Sequence, residues 1–180
     1  MSSSSVSILF TITISVLLFS TKSAAASSSS LINDACSTTN RDNFDVKSCV
    51  ATLESDKKIA SAKNFHDLSA AILKAGIVDT TATRAYLIKK AAEKSNQKDV
   101  YDQCKLAYDS VIGNIKGALS ELDDDPMSAT YDLSLASNDS MQPCLAALRA
   151  AGAAADKTVL AGNNDLFIYI FSAIAACDKI

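Results

Sequence analysis

Histidine occurs once, proline twice and glycine five times in 180 residues, and each scarcity removes a class of protein. The single histidine, His66, cannot supply the repeated imidazole ligands of a zinc centre, and no Cys-x-x-Cys pair stands in for them. Asp67 follows it directly, but adjacent helix positions diverge and do not face each other. There is no Gly-x-Ser-x-Gly elbow and no Cys–His pairing signature, so a nucleophilic triad is unsupported. Five scattered glycines form no loop able to cradle a phosphate. The expectation is a protein that is not an enzyme and uses no cofactor or metal. Little Gly and Pro, set against plentiful Ala, Leu, Lys, Asp and Ser, favours helices joined by short turns over a sheet sandwich.

The N-terminus reads as a secretory signal peptide. Met1 to Ser7 is short and polar, Ile8 to Phe19 is strongly apolar, and Ser23-Ala24-Ala25-Ala26 offers small residues for cleavage near Ala26. The apolar run is shorter than the ~20 residues a spanning helix needs. Residues 1–26 are therefore assigned to the leader and residues 27–180 to one compact domain. Removing Lys22 leaves 16 basic against 20 acidic side chains, a net charge of −4. That balance argues against nucleic acid and anionic membranes as partners. In a secreted chain, Cys36, Cys49, Cys104, Cys144 and Cys177 read as two bridges and one free thiol, with fifteen formal ways to arrange them.

Along the domain, Leu31 to Cys36 and Asp45 to Glu54 read as short helices around a polar turn, Thr38 to Asn43. Ser55-Asp56 offers a cap for a long segment ending near Lys94. Leu68, Ile72 and Ala75 recur at helical spacing, as do Ala85, Ile88 and Ala92; Gly76 and Thr80-Thr81 between them mark a place to kink or break. Val100, Cys104, Ala107, Val111, Ile115, Ala118 and Leu122 form the clearest stripe and turn Cys104 to the core. Asp123-Asp124-Asp125-Pro126 is a stop followed by a start, because Asp125 caps and proline suits the first helical position. Pro143 should interrupt the next segment, Met127 to Ala150, around Asn138 to Gln142. Leu166 to Ala176 is apolar nearly all round, as in a buried helix; a strand or a membrane tail are the alternatives. Asn138-Asp139-Ser140 is the one N-glycosylation sequon, so Asn138 is a candidate glycan acceptor.

Several of these stretches carry a resemblance. Cys49-Val50-Ala51-Thr52-Leu53-Glu54-Ser55-Asp56 is similar to the Cys-Val-x-x-Leu-x-Ser-Asp motif of plant invertase and pectin methylesterase inhibitors. Cys36 stands upstream, Cys104-Lys105-Leu106-Ala107-Tyr108 matches the family's Cys-x-x-x-Tyr, Ala129 to Ala136 resembles its third bundle helix, and Cys144 falls at its fourth-cysteine position. The resemblance spans about residues 31–177. It implies an all-α fold, a four-helix up-and-down bundle preceded by a helical hairpin. It also implies the pairs Cys36–Cys49 and Cys104–Cys144, with Cys177 unpaired.

Members of that family cover the active-site cleft of pectin methylesterase or of cell-wall or vacuolar invertase, so the expected partner is one such enzyme, bound one to one. Invertase inhibitors often carry Pro-Lys-Phe ahead of the third cysteine, where this chain has Ser95-Asn96-Gln97. Pectin methylesterase inhibitors commonly have Thr-Cys-Glu-Asp around the fourth, where this chain has Pro143-Cys144-Leu145-Ala146. Pectin methylesterase is slightly favoured, since its inhibition uses a broad helical face rather than a single inserted group. A secreted binding or signalling protein without inhibitory activity is the third reading. The resemblance places the contact on the second and third bundle helices, with Lys105, Asp109, Asn114, Asp123, Asp124, Asp125, Tyr131 and Ser134 as candidate partner-binding residues. Asp102, Lys105, Asp109 and Lys116 lie off the apolar stripe, where solvent or a partner must meet them. His66 is expected to be a bystander away from that face. The expected location is the apoplast, with the vacuole as the alternative.

Overall fold

A computed structural model describes residues 27–39, 44–93 and 96–180. The leader, residues 40–43 of the polar turn, and Lys94 and Ser95 fall outside the described residues. Seven α-helices follow in order: α1 (Ser28–Ser37), α2 (Val46–Ser55), α3 (Phe65–Ala92), α4 (Lys98–Glu121), α5 (Pro126–Leu135), α6 (Gln142–Ala151) and α7 (Lys157–Cys177), and no strand occurs among the described residues. Five of them start on a side chain that accepts from the first free amides: Ser27, Asp45, Asn64, Asp125 and Asp156. Short polar side chains at that position satisfy donors that have no partner inside the helix. α6 instead begins with proline in its first turn and ends on Gly152, whose φ of 56° is a region L side chains rarely adopt.

The four rods of the bundle are α3, α4, the broken rod α5–α6, and α7, each packed on its two neighbours in that cyclic order. The α1–α2 hairpin lies chiefly against α7. One continuous core runs from Leu31 and Ile32 of α1 through Leu68, Ile72 and Leu87 of α3 to Leu166 and Ile170 of α7. Stripes at 3–4 spacing on four helices bury against one another, and that shared burial is the main source of stability.

The long segment differs from its sequence reading at its start and in the middle. Its cap is Asn64, which accepts from the Asp67 amide at 2.7 Å, while Ser55-Asp56 closes α2 and leads into a 3₁₀ turn, Ile59–Ser61. Gly76 and Thr80 do not break it. The Thr80 hydroxyl donates to the Gly76 carbonyl at 2.5 Å and is buried, so its polarity is satisfied within the helix. Gly76 is small because Tyr169 of α7 crosses there, 3.2 Å from where a Cβ would stand. Gly162 of α7 does the same against Thr83, at 2.8 Å. Together the two glycines let α3 and α7 approach closely.

The interruption expected near Asn138 to Gln142 is a π turn, Ala136–Ser140, after which Pro143 sits in the first turn of α6. α7 begins nine residues before the apolar run that announced it. It is the one described helix long and apolar enough to cross a membrane, and half of that window is buried inside the bundle.

Candidate functional site

One bridge and one polar pair tie α4 to its neighbours, and a second bridge closes the hairpin. Cys36 is bonded to Cys49 between α1 and α2, and Cys104 of α4 to Cys144 of α6, across 40 residues of sequence. Cys177 is free and buried. Four residues after Cys104, the fully buried Tyr108 donates its hydroxyl to Asn163 Oδ1 of α7 at 2.8 Å. Burial pushes the Tyr108 hydroxyl well above its ordinary pKa, helped by the charges of Asp79 and Asp165, so it remains a donor. Asn163 had no signal in a single sequence beyond being a polar residue beside a glycine.

The candidate contact residues divide between faces. On α4, Asp109 turns towards α3, where Arg84 Nε donates to its Oδ1. Asn114 turns the other way and donates to the Ser140 hydroxyl of the π turn at 3.1 Å. Lys105 stays on its own helix, 3.2 Å from Asp102, which also takes Lys98. Those two lysines hold the Asp102 carboxyl below the usual range, Lys98 contributing more. Tyr131 projects from α5 at 63 % exposure, one turn from Met127 at 82 %, an exposed apolar pair of which the sequence reading held only the tyrosine. Ser134 lies apart, lining a cleft with Thr38, Thr39 and Ile174 near the hairpin. Asp109, Tyr131 and the acidic turn are thus exposed and Lys105 is half-buried, while Asp109 and Asn114 flank α4 on opposite sides.

The acidic turn between α4 and α5 is ordered by its own contacts. Asp125 accepts from the Ser128 hydroxyl at 2.8 Å and its amide at 3.1 Å, and these bonds hold its carboxyl below the usual range. Asp123 Oδ1 lies 2.7 Å from His66 Nε2 in the first turns of α3. His66 is therefore beside the proposed contact surface and not remote from it. The reason is topological: the start of α3 and the end of α4 meet at one end of an antiparallel pair.

At the opposite end Asp156 joins three rods. Its Oδ2 accepts from the Tyr86 hydroxyl at 2.8 Å and the Tyr101 hydroxyl at 3.0 Å, and its Oδ1 caps α7 through the Thr158 amide at 2.8 Å. Burial pushes this carboxyl up, but the bonds from Tyr86, Thr158 and Tyr101 outweigh it and leave the pKa lowered. Asp79 is the contrary case. Its Oδ2 is buried without a hydrogen-bond partner, and burial, reinforced by the charge of Asp165, raises its pKa.

Among the described residues, no set of three or more His, Cys, Asp or Glu is placed to hold a metal. What the arrangement offers is a rigid helical surface with a charged corner at Asp123–Asp125 and an apolar strip at Met127 and Tyr131. The family model for plant invertase/pectin methylesterase inhibitors matches residues 30–170. No curated protein and no solved structure matches the chain.

Proposed function

The chain belongs to the plant invertase/pectin methylesterase inhibitor family, and from that premise we propose that it is a secreted inhibitor of pectin methylesterase. In this reading residues 1–26 direct it to the apoplast, and the mature bundle binds one enzyme molecule and covers its active-site cleft. The contact lies on the outward side of α4 and α5, centred on Lys105, Asp123, Asp124, Met127 and Tyr131.

The observation that carries the preference is at Gln97. This residue stands where invertase inhibitors of the family present Pro-Lys-Phe, and its side chain is tied down at the surface by donating to the Ala154 carbonyl. A side chain spent on an internal bond is not available to enter a cleft. The exposed Met127 and Tyr131 suit the other mode, in which an extended helical surface meets the enzyme and a few large side chains carry most of the energy. The acidic corner would draw a basic partner from a distance.

Activity assays of a panel of plant pectin methylesterases and invertases, each mixed with purified mature protein in mildly acidic buffer, test the assignment. Loss of pectin methylesterase activity alone is expected. Loss of invertase activity alone would move the target to the other enzyme.

A further inference from the structure

The π turn Ala136–Ser140 carries the sequon and also forms one wall of the groove between the hairpin and α7, with a volume of about 530 Å³. Phe44, Phe167 and Phe171 line this groove; Phe167 and Phe171 stack at 5.5 Å with an interplanar angle of 12°, and Phe44 meets Phe171 edge-on at 6.0 Å. Its rim is polar, with Gln142 and Asn164 beside Asn138 itself. Asn138 is exposed, and the residue between it and Ser140 is Asp139, so the sequon contains no proline.

We propose that Asn138 bears an N-linked glycan whose first N-acetylglucosamine lies in this groove, against the stacked phenylalanines. The chemistry of the two surfaces matches. A pyranose ring presents a patch of C–H bonds to an aromatic face, and its hydroxyls and acetamide need donors and acceptors at the edge. The groove has that order, an apolar floor with a few polar side chains around it. Covalent attachment at the rim removes most of the entropic cost that a free sugar would meet. The sugar shields the side of α5 that carries Ser134, one turn before Asn138, and leaves Met127 and Tyr131 open. The site therefore assigns docking to the outward side of α5 and removes Ser134 from the contact.

The inference rests on passage through the secretory pathway, and the test separates the two. The full chain is expressed in plant cells with its own leader and, in parallel, with a leader of known performance. Intact mass is measured before and after treatment with peptide N-glycosidase, for the native chain and for Asn138→Gln. The expected result is one N-glycan on the secreted native chain and none on the variant. Secretion without a glycan under either leader overturns the proposal but leaves the secretory reading intact. Retention under the chain's own leader, with glycosylation under the other, overturns the secretory reading alone.

Seating in the groove is read on protein trimmed to the single sugar. Contacts between the acetyl methyl protons and the Phe167 or Phe171 ring are expected by NMR, with a melting temperature a few degrees above that of Asn138→Gln. A sugar that shows no ring contact and leaves melting unchanged contradicts the seating.

Discussion

His66 Nε2 and Asp123 Oδ1 lie 2.7 Å apart, joining the first turns of α3 to the acidic turn that follows α4. The side chains are 41 % and 81 % exposed, so the pair is well solvated. An exposed polar contact of this kind contributes under about 1 kcal/mol. A double-mutant cycle with His66→Gln and Asp123→Asn, read by chemical denaturation, should give a coupling below roughly 0.5 kcal/mol that fades with added salt. A weak clasp leaves Asp123 free to change partner when an enzyme docks. A coupling of several kcal/mol would mean that the corner is locked and unavailable.

Asp156→Ala should be among the most damaging single changes outside the apolar core. It removes a helix cap and the acceptor that Tyr86 and Tyr101 share, leaving Tyr101 the longer bond to Gln97 Oε1 at 3.2 Å. Cap loss costs about 1 kcal/mol and each weakened hydroxyl bond up to about 1 kcal/mol more, so a loss of roughly 1–3 kcal/mol is expected. The native pKa is lowered, so the ionised form favours the fold. The contribution is complete above the ordinary aspartate value of about 3.9 and disappears as pH falls through the lower native value. Wild type and variant should therefore converge in stability in strong acid.

Asp79→Asn should act in the opposite sense. The raised native pKa means that the protonated form favours the fold, most fully below the unfolded value, and that stability falls as pH rises through the native one. The amide carries no charge and can donate. A gain of about 1 kcal/mol near neutrality, or roughly 2–4 °C in Tm, is expected, shrinking as the buffer is acidified. Thermal melts of both proteins across that range provide the check.

Replacing Cys104 and Cys144 together with alanine opens the loop of 40 residues that their bond closes. In the chain-entropy account this costs roughly 3–4 kcal/mol, equivalent to about 10 °C in Tm. Peptide mapping without reductant checks the connectivity, and any bonded form of Cys177 would contradict it.

The stripe from Val100 to Leu122 was legible because α4 is packed on several sides by apolar neighbours and polar on the rest, which one sequence records directly. The start of α7 was not, because Gly162, Asn163 and Asn164 look like helix breakers. Their meaning lies on other helices: Gly162 makes room for Thr83, and Asn163 answers Tyr108. Gly76 misled for the same reason. Capping was ambiguous near Asn64, since Ser55-Asp56 offers equally good chemistry eight residues earlier.

For the contact surface, the pattern located α4's apolar side but not which flank meets which neighbour. That is why Asp109 and Asn114 were grouped although they point towards α3 and the π turn respectively. Two elements of the same bundle must be placed together before a polar position can be assigned to solvent or to a helix next door.

Blocking of pectin methylesterase by the α4–α5 surface, as proposed, is read most directly by titration. A fixed amount of enzyme is titrated with the mature protein, and with the variant Asp124→Lys/Tyr131→Ala, while ester hydrolysis is followed. Activity should fall to nothing at one equivalent of the native protein, and the variant should require a several-fold higher concentration, most clearly at low salt. Full enzyme activity in the presence of a large molar excess of the native protein would contradict it.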